Sequence, residues 1–169
     1  QHRRLGRDLD VVLYSPEEKV ALREPRSSLK RADVCLVKNK DYSVISTGFF
    51  SPWTREKINI ETWAKKRVLA FCGIARPQRF FAQLRADGLN VVSALGFPDH
   101  YVYPSPALEK IMRTCREVGA EAAITTEKDS VKIAGRQSAL GNIPVFVLKI
   151  GLRVEPALYE KMRRLLEKR

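Results

Sequence analysis

The sequence predicts an α/β fold: a mostly parallel sheet flanked by helices, an α/β/α sandwich. Three observations carry this. Residues 67–74 (RVLAFCGI) form a nearly continuous apolar run, the pattern of a strand covered on both faces. Two proline-led segments then place apolar residues at helical spacing: Phe80, Phe81 and Leu84 after Pro77, and Leu108, Ile111, Met112 and Cys115 after Ser105-Pro106. Further short apolar runs at 89–95, 122–126 and 145–150 alternate with these helices, so strand, helix and strand follow one another as in βαβ units.

The elements fall in order. Residues 10–14 and 32–37 (ADVCLV) read as short buried strands, and between them Pro25 pushes Glu24 toward an extended conformation. From residue 42 to 60 the pattern weakens into partly alternating segments around Pro52, a β-ribbon or linker. Gly88 and Gly119 suit the ends of the two central helices. A last helix starts at Pro156 and carries Leu158, Met162, Leu165 and Leu166 as a stripe. The expected division is 1–41 as the end of an N-terminal domain, 42–62 as ribbon or linker, and 63–169 as a C-terminal α/β domain. Gln1-His2-Arg3-Arg4 has no initiator Met and leads straight into Val11-Val12-Leu13-Tyr14, so the start reads as a cut through something larger.

Composition narrows the class. A chain 44% hydrophobic and 30% charged has an ordinary soluble balance, which argues against disorder. No apolar run approaches the roughly 18–20 residues needed to span a bilayer. Cys35, Cys72 and Cys115 are widely spaced with no CxxC pair, so neither a disulfide framework nor a zinc site is indicated, and a reducing cytosolic setting fits. The net charge of +12 favours an anionic partner: nucleic acid, anionic lipid headgroups or a phosphorylated small molecule. Most of the basic residues are scattered, and for these a solvated surface is the simpler reading. The GxxxxGK[ST] loop, GxSxG and HExxH are all absent.

In open parallel sheets functional groups gather at the carboxyl ends of strands. Three polar, Gly/Pro-containing stretches fall there: Gly73-Ile74-Ala75-Arg76-Pro77, Phe97-Pro98-Asp99-His100-Tyr101 and Thr125-Thr126-Glu127-Lys128-Asp129. His100 has the chemistry of a proton acceptor near neutral pH, although a loop histidine bonded to its neighbours would look the same locally. Asp99 orients His100, caps a local turn or simply faces water, and the local sequence favours the turn. Lys128 is a candidate point charge for a phosphate. A well-capped helix, with Thr126 or Asp129 as the cap, explains that stretch equally well. Arg23 and Glu24 form either a substrate-positioning ion pair or a surface pair beside Pro25, and Arg76 is an anion ligand or a solvated arginine.

Taken in order, QHRRLGRDLDVVL, LREPRSSLKRADVCLVKN, VLAFCGIARPQRFFAQLRADGL, FPDHYVY and TTEKDSVKI resemble the tetraacyldisaccharide 4'-kinases, from residue 1 to about residue 150. The resemblance implies transfer of the ATP γ-phosphate to the 4'-hydroxyl of the lipid A disaccharide precursor. It also implies a P-loop-NTPase-like N-terminal domain, a β-ribbon and a smaller C-terminal α/β domain. ATP, Mg²⁺ and peripheral attachment to the cytoplasmic face of the inner membrane come with it. Gln1 and His2 resemble the end of the family's Asp-Asp-Gly-Phe-Gln-His motif, whose acids would lie just before Gln1. Arg23 and Glu24 match its Arg-Glu-Pro element, except that Glu18-Lys19-Val20-Ala21 precedes it where the family usually has Leu-Pro-Ala-Gly-Pro. His100 matches a histidine that the family pairs with an N-terminal-domain carboxylate to activate the sugar hydroxyl. Lys128 and Asp129 match its Glu-Lys-Asp turn.

The expected site is therefore His100 and Asp99 as catalytic residues, with His2, Arg23, Glu24, Arg76, Lys128 and Asp129 binding substrate or nucleotide. No metal ligand is expected within the chain, since ATP and Mg²⁺ would be held mainly by residues outside it. The chain alone is expected to be inactive. Its partners would be the lipid disaccharide and an anionic membrane surface, with no nucleic acid. The rivals are a basic α/β nucleic-acid-binding module, for which no RRM, KH or zinc-finger signature is present, and a non-catalytic scaffold domain.

Overall fold

The computed structural model describes residues 11–15 and 26–167, apart from the side chains of Arg26, Ser28 and Lys161. Strands β1 (Val11–Tyr14), β2 (Val34–Val37), β3 (Tyr42–Phe50) and β4 (Lys57–Ile58) come first. Then follow β5 (Arg67–Cys72), α1 (Pro77–Ala86), β6 (Asn90–Gly96), α2 (Ser105–Glu117), β7 (Ala122–Thr126) and α3 (Glu127–Lys132). The chain finishes with β8 (Val145–Val154) and α4 (Pro156–Glu167). Short 3₁₀ turns lie at Arg26–Arg31, Ile60–Trp63 and Gln137–Leu140.

The chain divides into two compact units, one of Gln1–Ile45 with Gly151–Arg169 and one of Ser46–Ile150. In the second, β5 sits between β6 and β7 and pairs with both in parallel, and β7 pairs with β8 in parallel. Its side chains alternate between two cores, as a strand covered on both faces must. Val68, Ala70 and Cys72 pack with Phe80, Phe81 and Leu84 of α1. Leu69 and Phe71 pack with Leu108, Ile111, Met112 and Cys115 of α2. This arrangement follows from topology. The chain leaves β5 through α1 to reach β6 on one side, then returns through α2 to β7 on the other. Crossovers of one hand that run in opposite directions place their helices on opposite faces. The carboxyl ends of β5 and β7 consequently lie where the winding reverses, the usual place for a binding crevice.

Both crossover helices end alike. Gly88 has φ +85° and Gly119 has φ +59°, conformations that glycine adopts without strain. Gly88 N–H donates to Arg85 O and Leu89 N–H to Leu84 O; Gly119 N–H donates to Arg116 O and Ala120 N–H to Cys115 O. These are Schellman closures, which satisfy carbonyls the helix leaves open.

In the first unit β1 and β2 pair in parallel. Val34, Leu36 and Tyr42 are buried there against Val11, Val154, Leu158, Met162 and Leu165.

The sandwich and the order of its elements match the sequence expectation, and β3 with β4 forms the antiparallel ribbon around Pro52. Details differ. Leu166 is 49% exposed, because it lies one residue, about 100° of helix rotation, beyond Leu165 and so leaves the stripe. The unit boundary at Ile45 and Ser46 falls inside the expected 42–62 segment. The second boundary cuts through the expected 63–169 domain, since β8 runs on to Val154 and its end packs with α4 on Val34, Leu36 and Tyr42.

Candidate active site

Three loops leave the carboxyl ends of β5, β6 and β7, and hydrogen bonds tie them together at Gly73. The Gly73 N–H donates to Asp129 Oδ2 at 3.0 Å. Its carbonyl accepts from the His100 N–H at 3.1 Å, while Phe97 N–H donates to Cys72 O at 2.8 Å. Glycine is required here by space rather than by dihedral freedom. A Cβ on Gly73 would stand 3.0 Å from the Pro98 carbonyl oxygen, 3.0 Å from Tyr101 Cβ and 3.2 Å from the Tyr103 hydroxyl.

His100 lies on the outside of this knot, with 81% of its side chain exposed. Its φ of +61° is uncommon for a residue other than glycine and is held by the bond to Gly73. Asp99 is 47% exposed; Oδ1 accepts from the His100 N–H at 3.1 Å, and Oδ2 is 3.8 Å from Nε2. Asp99 thus bonds the main chain of the turn and stands beside an imidazole that is open to solvent.

The end of the loop is sunk in the core. Tyr103 is fully buried with φ +55°, and its ring meets Phe71, Phe97 and Tyr101 at centroid distances of 5.7, 5.2 and 5.3 Å. Its hydroxyl faces Asp129 without reaching hydrogen-bond geometry. Burial, reinforced by the Asp129 charge, pushes the phenol pKa up. The Cys72 thiol is pushed up to about 12, first by burial and then by the same charge.

Asp129 is the one buried carboxylic acid of this unit among the described residues, fully enclosed. Oδ2 accepts from Gly73 N–H and from Thr126 Oγ1 at 2.8 Å, and Oδ1 accepts from Lys132 Nζ at 3.0 Å. Thr126 is also the cap of α3, its Oγ1 accepting from Asp129 N–H.

The structure thus brings His100, Asp99 and Asp129 together around Gly73. Lys128 is exposed in the first turn of α3, and Arg76 is half-buried at the N-cap of α1. His2, Arg23 and Glu24 lie outside the described residues. Sequence reasoning missed Gly73, Tyr103 and Arg136, whose Nη1 donates to the Tyr103 carbonyl at 2.6 Å. Glycine at the end of an apolar strand was the available signal for the first; nothing local marks the others.

The described residues do not fit a Mg²⁺ site. Both carboxylate oxygens of Asp129 are already engaged by internal donors, and no group of three or more His, Cys, Asp or Glu residues is placed to hold a metal. Among the described residues no helix is long and apolar enough to cross a membrane.

Comparison with known proteins agrees with the resemblance. A family model described as tetraacyldisaccharide-1-P 4'-kinase matches residues 1–167. The tetraacyldisaccharide 4'-kinase of Koribacter versatilis is 34% identical over all of this chain and 56% of its own length. That of Pelobacter propionicus is 33% identical over 99% of this chain and 54% of its own. A crystal structure of LpxK from Aquifex aeolicus, in complex with ATP, superposes with a TM-score of 0.68 at 23% identity, over 99% of this chain and 54% of that one, which supports the fold. The chain spans about half the length of the curated relatives it matches. With a family model matched over nearly its whole length, this chain belongs to the tetraacyldisaccharide 4'-kinase family.

Proposed function

We propose that this chain supplies the sugar-facing part of a kinase that transfers the γ-phosphate of ATP to the 4'-hydroxyl of the tetraacyldisaccharide 1-phosphate. The observation that carries the proposal is the exposed imidazole of His100, fixed above three strand ends at the point where the winding reverses. A ring nitrogen of His100 takes the proton as the 4'-oxygen attacks phosphorus, and the bond from phosphorus to the ADP oxygen breaks in line. Positioning and electrostatics do most of the work in such transfers. Lys128 offsets negative charge on phosphate or substrate, and Arg23, His2, Glu24 and Arg76 take the substrate- or nucleotide-binding roles that the family resemblance implies. ATP and Mg²⁺ are bound by parts of the longer relatives that this chain does not span, together with the carboxylate that assists His100. The charge of +12 favours attraction to an anionic bilayer, consistent with peripheral attachment to the cytoplasmic face of the inner membrane.

The test is phosphoryl transfer from ATP to the tetraacyldisaccharide 1-phosphate, measured on this chain alone and on the chain joined to the N-terminal part of the K. versatilis relative. Turnover by the joined protein only is expected. Turnover by the chain alone, or none by a folded joined protein, overturns the proposal. In the joined protein His100→Ala should lower kcat by about 10²–10⁴-fold, the usual worth of a general base, and a loss below about threefold removes His100 from the chemistry.

A further inference from the structure

We infer that Asp129 is a positioning residue for His100, acting through the backbone of Gly73; this rests on the reading of His100 as the proton acceptor.

Burying a carboxylate is costly unless it is paired and hydrogen-bonded, so a fully enclosed one needs a structural reason. Capping α3 is not that reason. The Asp129 N–H is already satisfied by Thr126 Oγ1, and the bond that this hydroxyl returns to the carboxylate leaves the contact with Gly73 unexplained. Instead the carboxylate reaches across 56 residues of sequence to the Gly73 N–H, at 3.0 Å. Gly73 has no side chain to set its orientation. Its two flanking peptide groups are fixed by what they bond to, Asp129 on the N–H side and His100 on the carbonyl side. The carbonyl points at the His100 N–H, which it shares with Asp99 Oδ1, and so helps to hold that residue's left-handed backbone. Lys132 and Thr126 in turn hold the carboxylate, from one oxygen each. The arrangement is a relay of Lys132 and Thr126 to Asp129, Asp129 to Gly73, and Gly73 to His100. A substrate or nucleotide contact by Asp129 itself is disfavoured, because both oxygens are occupied and the side chain has no exposure.

The experiment is a double-mutant cycle in the joined kinase, combining Asp129→Asn with His100→Ala. Asn keeps the size but presents an amide in place of two acceptors. Alone, Asp129→Asn should lower kcat by about 10²-fold, the effect of a misplacement on the order of 1 Å, with KM for both substrates moving less than about twofold. In the His100→Ala background it should cost nothing further. Equal losses in both backgrounds, a raised KM for ATP with kcat unchanged, or no effect at all would each overturn the proposal. If Asp129→Asn does not fold, Lys132→Gln, which releases Oδ1 from the protein surface, is read in the same cycle and must show the same dependence on His100. A second arm separates this proposal from the kinase reading. In ¹H–¹⁵N spectra of the 169-residue chain the His100 amide resonance should shift on Asp129→Asn, or on Lys132→Gln if the first does not fold. An unmoved resonance defeats the relay whatever the activity, and a shifted one with kcat indifferent to His100→Ala defeats only the kinase role of His100.

Discussion

Arg136 Nη1 donates to the main-chain carbonyl of Tyr103 at 2.6 Å, joining the 3₁₀ turn after α3 to the end of the loop that carries His100. A hydrogen bond from a charged donor to a buried-residue carbonyl contributes on the order of 1–2 kcal/mol. Arg136→Ala should lower stability by about that amount, read from the urea midpoint at unchanged m-value. A change under about 0.3 kcal/mol would show that the bond does not anchor the loop.

Two glycines should respond differently to alanine. At Gly73 the added methyl meets backbone and Cβ at 3.0 Å, so the loop must move; the cost should be about 1–3 kcal/mol, together with a loss of any turnover that depends on His100. At Gly88 nothing lies within 4 Å, and only the φ of +85° resists, which costs about 1 kcal/mol without touching the site. Activity assays on folded variants of the joined kinase check the contrast, which fails if Gly88→Ala is the more damaging to kcat.

The buried thiols set a pH dependence. Folding raises the Cys72 pKa from an ordinary 9.0 to about 12 and that of Cys115 from 9.0 to about 11, in both cases first of all through burial. Above pH 9 the unfolded chain therefore binds fewer protons than the folded one, and stability falls as pH rises. The Cys72 contribution is intact below 9 and lost between 9 and 12; that of Cys115 is lost between 9 and 11. Each thiol adds a slope of at most about 1.4 kcal/mol per pH unit. Denaturation midpoints of Cys72→Ala should show a shallower alkaline decline than those of the unaltered chain, and parallel declines would rule out a buried, neutral thiol.

Reactivity with a thiol reagent at neutral pH should rank the cysteines. Cys35 is half-buried in β2, whereas Cys72 and Cys115 are fully enclosed. One fast thiol in the native chain and two more on adding denaturant is the expected count. Three fast thiols would contradict the burial of the sheet.

Much of the sandwich was legible because its signals are local. β5 reads as apolar throughout since both its faces are covered, and Pro77, Gly88 and Gly119 mark helix ends by their own backbone preferences. The end of β8 beyond Ile150 was not legible: Gly151 interrupts the apolar run, and Leu152 and Arg153 are exposed. The three strand-end loops were legible from polarity and position, and His100 stands on one of them. The place of Asp129 was not, because its partner is a main-chain N–H far away in sequence, and no periodicity records that. Nothing local marks Tyr103; only the packing of Phe71 and Phe97 around it shows that it belongs to the interior.

The burial of Tyr103 has a consequence for motion. A surface loop ordinarily swings on its own, but this one is moored at its far end by a ring that belongs to the sheet's interior. Freeing the segment means withdrawing that ring, so its opening is coupled to disruption of the interior and its amide protons should exchange with deuterium nearly as slowly as those of β5. Such a segment makes a fixed jaw rather than a lid, and any widening of the crevice beside it has to come from elsewhere.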